Sequence, residues 1–505
     1  MLAASAVVVL IASIAVGPDN NWDLRNYHYN NGRALVTGSF RNDVVAAGLQ
    51  SYLHPLIDAP IYIAVELFGG RWGLILWCAV VQWFCYLAVW RLTGAIGPIA
   101  RSWTLRALAL LAVATGSGAF SIAFTTFGDW IVAALLCEAT TRIVRSVSGP
   151  PTDDRRRWSG QRDLALAGVF VGLAMSVKVV SATFAIAIGA GLLVCLGLRA
   201  LLITAAGAVT CYLVVAGPWM LMLASRYGNP WFPFYNSVFR SSSAPRRTFD
   251  DERYGAQGLL DILRFPVNMF RGGVTYTELP IRDWRFLALM LLIGVWAVLR
   301  PRQRLLDAAR SLPLRFVAVT LGVAYLSWIV AFGYHRYFLF GELLTSLVLT
   351  VIVIDLLGDL PRTLVVGVVL IPVGIQFQDF PAYEREDPFD NAQLDAAIDL
   401  LPTTPTHVLF SAPPPLSYLS EAFDRSTNFA SIFAFQIDDF RLAGPLAEEY
   451  ADFITDGLAD DSLYVITEAG ATALPPPFDT VTLGTCTPFD SVGRPLQLCA
   501  AHGAA

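Results

Sequence analysis

The sequence predicts an α-helical polytopic membrane protein with about 11 transmembrane helices and a small C-terminal extracytoplasmic α/β domain. First, the 505 residues are 55% hydrophobic and 15% charged, whereas about a quarter of the residues of a soluble domain are charged. Second, apolar runs that approach the ~20 residues needed to cross a bilayer recur through residues 1–380. Third, residues 381–505 are acidic and rich in turn-forming residues.

The apolar runs define the predicted transmembrane domain, residues 1–380. The stretch 51–70 is also apolar, but Pro55, Asp58 and Pro60 interrupt it, and we interpret it as an interfacial helix. The predicted spans are residues 2–16, 72–92, 105–124, 130–147, 164–178, 180–198, 200–223, 285–300, 314–333, 337–357 and 362–378.

Arginine-rich loops orient these spans. The loops 142–162 and 300–315 are short and basic, and basic short loops remain on the cytoplasmic side. The longer loop 224–284 also carries arginines, so the basic residues are not confined to the predicted cytoplasmic loops. The predicted orientation places the N-terminus inside and the C-terminal domain outside, in a multi-pass protein of the inner (plasma) membrane.

The C-terminal domain, residues 381–505, has the length of a small α/β domain. Helix-like and strand-like stretches alternate along it, at 391–400, 406–410, 443–457 and 462–467. Its two cysteines, Cys486 and Cys499, suit a disulfide in an oxidising compartment. They have no neighbouring ligands that would complete a structural zinc site. The net charge of −5 gives no basic footprint for nucleic acid.

The loop after the first span carries the first candidate for chemistry, Asp23. Trp22, Tyr27 and His28 surround it in sequence. A carboxylate at the membrane interface can act as general base for an acceptor hydroxyl. Asp is also a favoured helix N-cap, and from Asp23 alone this second interpretation is slightly stronger.

Two further charged residues fall on the same predicted face. Asp129 lies in a very short outer loop, where an acid between two spans is either functional or a helix cap. Lys178 ends the fifth span, where its ammonium would hold a lipid phosphate or extend to the interface.

The remaining candidates lie in His54-Pro55 and in the run Tyr334-His-Arg-Tyr337. His54 could contact phosphate or a sugar hydroxyl, although an interfacial histidine in a turn is the commoner case. Arg336, followed by Tyr337, could grip a phosphate through a forked contact or close a helix C-terminus. Five separate loops thus deliver acids, bases and cations to one side of the membrane.

In this pattern the sequence resembles the C-type glycosyltransferase superfamily. The resemblance covers residues 1–380 and rests on Asp23 in its aromatic setting, His54-Pro55, Asp129, the glycine-rich span ending in Lys178, the run from Gly228 to Tyr235, and Arg336-Tyr337. It implies a sugar donor on a polyprenyl phosphate and an extracytoplasmic acceptor, which could be a glycan, a lipid or a protein.

The same resemblance assigns roles to residues. It makes Asp23 the catalytic base and gives Asp129 a supporting role in the catalytic site, in acceptor or cation binding. It places Lys178 and Arg336 near the donor phosphate. His54, Tyr27, His28 and Tyr337 are further candidate substrate contacts. Members commonly carry two acids close together in the first loop. Here only Asp19 and Asp43 accompany Asp23, at a distance. The sequence therefore indicates no certain cofactor and leaves a divalent cation open.

Two other functions are compatible with the composition. A transporter or lipid flippase would place polar residues near the middle of the bilayer, whereas the acids here lie at span ends. A non-catalytic membrane scaffold would use Asp23 and Asp129 only as helix caps. The hypothesis that the sequence favours is an inverting sugar transfer, with the outer domain binding the acceptor.

Overall fold

A computed structural model describes residues 2–147, 154–247, 253–254, 256, 258–300, 311–357, 382–433, 444–476, 478 and 480–503, without the side chains of 154–159. The predicted span 362–378 and the predicted domain boundary at 380/381 lie outside these residues. Within them the chain forms a helical membrane domain that packs against a small domain built on one sheet.

The membrane domain is helical because its apolar runs satisfy every backbone hydrogen bond internally, as a bilayer requires. Its helices are α1 (Leu2–Val16), α2 (Tyr29–Thr37), α3 (Asp58–Phe68), α4 (Gly70–Thr93), α5 (Gly97–Ala100), α6 (Trp103–Ala114), α7 (Ser117–Ser121), α8 (Asp129–Ser146), α9 (Asp154–Val177), α10 (Ala182–Leu196), α11 (Leu198–Val215), α12 (Gly217–Tyr227), α13 (Asn236–Phe239), α14 (Leu259–Arg271), α15 (Arg285–Leu299), α16 (Leu312–Ala331) and α17 (Leu339–Leu357).

Among the described residues, five helical segments are long and apolar enough to cross a membrane, and three shorter apolar helices accompany them. The five are Gly70–Thr93, Val179–Leu196, Leu198–Val215, Leu312–Ala331 and His335–Leu357. The predicted fold class is confirmed and the chain is an integral membrane protein, while the number of about 11 spans stays a prediction.

Helices α9 and α11 pack closely against each other. Gly168 and Gly172 of α9 lie directly against the backbone of α11, where an added Cβ would stand 2.1 Å and 2.4 Å from carbonyl oxygens of that helix. Small residues at such a contact allow two membrane helices to approach closely. The main apolar core then runs through α4, α8, α9, α10, α16 and α17.

The C-terminal domain is a five-stranded mixed sheet flanked by two helices. The strands are β1 (His407–Phe410), β2 (Asn428–Ser431), β3 (Leu463–Glu468), β4 (Val481–Ser491) and β5 (Arg494–Gly503), in the order β2-β1-β3-β5-β4. β1 is parallel to β2 and β3, whereas β5 is antiparallel to β3 and β4. The helices are α18 (Ala392–Asp399) and α19 (Gly444–Ala459). Cys486 and Cys499 form a disulfide between β4 and β5.

The edge of this sheet docks on the segment of α2 and the loop that follows it. Val44 forms a parallel bridge with Ala430 of β2, and its backbone N–H donates to Phe429 O at 2.8 Å. Arg33, 2% exposed, donates to the backbone oxygen of Thr427 and covers the ring of Phe429. The C-terminal domain therefore supports the loop that carries Asp23.

Candidate functional site

Four charged side chains from four separate segments meet on one face of the helical bundle. Asp23 precedes a π-helical turn, Leu24–His28, that continues into α2, and Asp129 is the first residue of α8. Lys178 follows the last residue of α9, and Arg336 lies in a 3-10 turn, His335–Phe338, that leads into α17. All four are therefore at helix ends, where short loops bring sequence-distant residues together.

These four residues, hereafter the cleft cluster, form two linked ion pairs. Arg336 Nη1 donates to Asp23 Oδ2 at 3.1 Å, and Lys178 Nζ donates to both carboxylate oxygens of Asp129 at 3.1 Å. Arg336 Nε lies 3.7 Å from Asp129 Oδ2 and links the two pairs. Since charged side chains are costly to bury unless they are paired, this arrangement holds two acids and two cations together in a partly enclosed place.

Aromatic rings surround the cations. The Arg336 guanidinium lies 3.8 Å from the centroid of Phe127, and Lys178 Nζ lies 5.5 Å from the centroid of Tyr337. The hydroxyl of Tyr27 donates to Asp23 Oδ2 at 3.1 Å. Cation–π contacts within about 6 Å are attractive, and they are stronger where water is excluded.

A cleft of about 240 Å³, including its open mouth, borders the cluster. Its polar side is formed by Asp129, Lys178 and Arg336, and its other walls are largely apolar, with Phe184, Leu339 and Phe340 among them. The side chains of Asp23 and Lys178 keep 13% and 14% of their surface exposed. Charged groups at one end and apolar walls at the other suit an amphipathic ligand with an anionic head.

The electrostatics of the cluster favour its ionised form. Burial raises the pKa of Asp23, but the positive charges of Arg336, His28 and Lys178 outweigh it and bring that pKa below the usual value of 3.8. The Asp23 carboxylate is therefore ionised at neutral pH.

The simpler interpretations of these residues fit less well. Asp23 makes no side-chain hydrogen bond that caps the turn after it. Lys178 does not extend toward headgroups, because its ammonium is bound by the carboxylate of Asp129. Arg336 lies in a 3-10 turn before α17 rather than at a helix C-terminus.

The two predicted histidines lie beside this cluster rather than in it. His28 Nδ1 is 2.6 Å from Asp58 Oδ1, and its ring lies against Tyr27, with the centroids 4.2 Å apart. His54 lies against Trp219, with the centroids 6.4 Å apart, and burial lowers its pKa. Their predicted substrate contacts stay predictions.

The cleft cluster does not fit a resident divalent cation. Asp129 is already neutralised by Lys178 and Asp23 by Arg336. A metal ion would have to displace both pairs and would then lie beside two positive charges. The other first-loop acids are committed elsewhere, because Asp19 accepts from Thr126 at 2.8 Å and Asp43 accepts from Ser39 at 2.7 Å.

A second charged group, hereafter the sealed cluster, lies behind the turn that carries Arg336. Its members are Asp283, Arg285, His335 and Glu342, whose side chains are 0–4% exposed. Arg285 donates to Asp283, to Glu342 Oε1 at 2.5 Å and to Ser346 at 2.7 Å. His335 Nε2 is 3.4 Å from Glu342 Oε2.

The two acids and His335 are close enough together to consider a metal site. Arg285 already supplies the positive charge there, because it donates to both carboxylates. Sequence reasoning missed this cluster since Glu342 falls within an apolar run and its arginine partner, Arg285, lies 57 positions away. The charges within Arg282-Asp-Trp-Arg285, at the start of a span, were the available signal.

Comparison with solved structures places this fold. ArnT from Cupriavidus metallidurans, bound to undecaprenyl phosphate, is similar with a TM-score of 0.59 at 13% identity, over 99% of this chain and 97% of that one. The chain has the fold of the C-type membrane glycosyltransferases. No protein-family model and no curated protein matches the sequence.

Two other solved structures are also similar to this chain in fold. The mycobacterial arabinofuranosyltransferase AftD is similar with a TM-score of 0.55 at 16% identity, over 99% of this chain but 40% of AftD. An oligosaccharyltransferase of Archaeoglobus fulgidus, in complex with Zn and sulfate, has a TM-score of 0.53 at 14% identity, over 92% of this chain and 68% of that one. At such identities the likeness concerns the fold.

Proposed function

We propose that this protein transfers a sugar from a polyprenyl-phosphate donor to an acceptor hydroxyl on the extracytoplasmic face. The observation that carries the proposal is the cleft. Lys178 and Arg336 line it together with apolar side chains, and Arg336 contacts the Asp23 carboxylate. A lipid phosphate has the matching chemistry, because its anionic head needs cations and its chain needs an apolar surface.

The cations bind the phosphate and stabilise the charge that develops on it. As the bond between the anomeric carbon and the phosphate oxygen breaks, its electron pair leaves with the phosphate. Lys178 and Arg336 are fixed by Asp129 and Asp23 before the reaction, and donors that are preorganised in this way stabilise a developing charge strongly.

Asp23 takes the proton of the acceptor hydroxyl as that oxygen forms its bond to the anomeric carbon. The attack comes from the side opposite the leaving phosphate and therefore inverts the anomeric centre. In the structure Arg336 lowers the basicity of Asp23. Phosphate bound by Arg336 and Lys178 offsets their charge, which raises the basicity of Asp23 only when donor is present.

The relatives in fold support this proposal. The ArnT structure holds undecaprenyl phosphate, and AftD is an arabinofuranosyltransferase. A transporter is less consistent with the cleft cluster, because its four charges lie at helix ends rather than near the middle of spans.

The test is sugar transfer from a panel of radiolabelled polyprenyl-phosphate sugars by the purified protein in nanodiscs. The wild type should transfer at least one sugar, and Asp23→Asn should lower the rate by about 10²–10⁴-fold, the usual contribution of a general base. Asp424→Asn, on the exposed surface of the C-terminal domain, is the matched control and should keep the full rate. Undiminished transfer by Asp23→Asn would contradict the mechanism.

A further inference from the structure

A second open groove, hereafter the outer groove, runs beside the first outer loop between α2 and α12. It encloses about 400 Å³, a volume that includes the part open to solvent. It shares no lining residue with the cleft that borders the cleft cluster. The residues that define it here are Asn30, Phe40, Tyr52, Trp219 and Tyr227.

Aromatic rings form the walls of the outer groove. Phe40 and Trp219 have centroids 5.9 Å apart with planes inclined at 59°, and Tyr52 and Tyr227 pack edge to face at 5.3 Å. Trp219 Nε1 donates to Tyr52 O at 3.0 Å. This bond holds the indole against the outer loop, whereas a tryptophan that only anchors the bilayer would turn its N–H to the headgroups.

A buried amide faces the same groove. Asn30 is 2% exposed, and its side-chain oxygen accepts no hydrogen bond within the protein. Buried polar groups are almost always satisfied, so an unmatched acceptor in the wall of a groove indicates that a ligand or solvent donor meets it. Asn31, which also lines the groove, donates to Gln50 O at 2.9 Å.

The C-terminal domain braces the groove from the far side. Glu449 of α19 accepts from Arg226 at 2.6 Å and from Tyr227 at 2.9 Å, and Tyr227 OH lies 3.3 Å from Tyr52 OH. The rings that line the groove are therefore held by contacts with both domains. A rigid wall of this kind loses little entropy when a ligand binds.

The groove is joined to the reaction centre by one helical run. Asp23 starts this run and contacts Arg336, and Asn30 follows seven positions later in α2. The run combines the π-helical turn Leu24–His28 with the start of α2, so these seven positions span somewhat less than the ~10 Å of a regular α-helix. This is the length of about two sugar rings, so a chain held in the groove could present its end to Asp23.

We propose that the outer groove binds a carbohydrate acceptor, an inference that rests on the proposed sugar transfer. Sugar rings carry apolar C–H faces that stack on aromatic side chains, and their hydroxyls donate to amide oxygens such as that of Asn30. A lipid tail would leave this amide unmatched. A peptide could satisfy it, but has no reason to require a wall of aromatic rings.

The test uses the purified full-length protein in nanodiscs on an array of immobilised hexose and pentose oligosaccharides, beside arrays of peptides and lipids. The wild type should bind a set of oligosaccharides. Trp219→Ala should weaken that binding by about tenfold, and Trp219→Phe should retain most of it because a ring remains. Trp72→Ala removes an indole that is 50% exposed on α4, and it should bind like the wild type.

Polyprenyl-phosphate binding, measured on the same preparations, separates this inference from the proposed function. Unchanged lipid-phosphate binding by Trp219→Ala, with weakened oligosaccharide binding, supports the acceptor groove. Oligosaccharide binding that Trp219→Ala leaves intact, or binding of peptides or lipids alone, overturns it. Oligosaccharide binding in the groove without any lipid-phosphate binding would support the carbohydrate site and contradict the proposed donor.

Discussion

The cleft cluster and the sealed cluster use similar side chains for different ends. Each joins two carboxylates to basic residues, and each takes one basic residue from the same turn, Arg336 in the first and His335 in the second. The sealed cluster is closed, with side chains 0–4% exposed. In the cleft cluster the side chains of Asp23 and Lys178 are 13% and 14% exposed, and an open cleft lies beside them.

The comparison shows that the exposure of the charged side chains, rather than their number, distinguishes a binding site from a structural network. Arg285 donates to acceptors of α17 and of the segment just before α15, and its side chain is only 4% exposed, so it has no path to a ligand. Its network fixes the turn that presents Arg336. Arg336 and Lys178, by contrast, border open space, so an anionic ligand can reach them.

The largest expected effect is on stability, from Glu342→Ala in the sealed cluster. Removing this carboxylate leaves Arg285 buried and only partly compensated, which should lower the free energy of unfolding by about 3–5 kcal/mol. Thermal unfolding in detergent measures it. Glu386→Ala, at an exposed position, is the control. An equal shift for the two variants would show that the sealed network is not structural.

The next effect is on the pH dependence of transfer. Arg336 is the strongest influence that holds the pKa of Asp23 below 3.8. In Arg336→Gln the largest influence opposing burial is gone, so the acid limb of the pH profile of kcat/KM should move to higher pH. Since the wild-type pKa is lowered, Asp23 stabilises the fold above its unfolded pKa, and this contribution disappears as the pH falls through the folded value.

The control for this profile is Arg101→Gln, which removes an exposed arginine of the same charge. Its acid limb should coincide with that of the wild type. If the acid limb of the kcat/KM profile of Arg336→Gln lies at the same pH as in the wild type, Asp23 does not titrate in the rate-determining step.

A smaller effect on stability is expected from Asp23→Asn. Its side chain is partly exposed, and Arg336 keeps Asp129 as a second acidic partner at 3.7 Å. The free energy of unfolding should fall by about 1 kcal/mol, the contribution of one hydrogen bond, in the same assay that measures Glu342→Ala. A loss as large as that of Glu342→Ala would remove the contrast between the two clusters.

The smallest expected effect is that of metal removal. Because both carboxylates of the cleft cluster already have cationic partners, prolonged treatment with EDTA should leave the transfer rate unchanged. Readdition of Mg²⁺ or Mn²⁺ to the treated protein should likewise have no effect. A rate that disappears with EDTA and returns with one of these ions would overturn the assignment of ion pairs to this site.

The sequence predicted the elements that are set by local pattern. The two helices and two of the strands in the C-terminal domain, His407–Phe410 and Leu463–Glu468, begin and end within two residues of the predicted ranges, whereas β2, β4 and β5 were not predicted. The predicted spans would also send Asp23, Asp129, Lys178 and Arg336 to one face of the membrane, and in the structure these four side chains meet.

What the sequence did not predict depends on side-chain direction and long-range packing. Glu342 pairs with Arg285 across 57 positions, and no spacing rule links a residue inside an apolar run to the start of another span. His54 lies against Trp219 because the chain folds back between two loops. The outer groove was missed for the same reason, since its rings come from α12 and from the distant loop between α2 and α3.

The account depends most on whether the cleft cluster holds the donor phosphate. The most direct measurement is the dissociation constant of polyprenyl phosphate without sugar, for the wild type, Lys178→Gln and Arg336→Gln in nanodiscs. Each substitution removes a charge-assisted hydrogen bond and should weaken binding by about 10–100-fold, while Arg101→Gln should bind like the wild type. Equal dissociation constants for all four proteins would contradict the account.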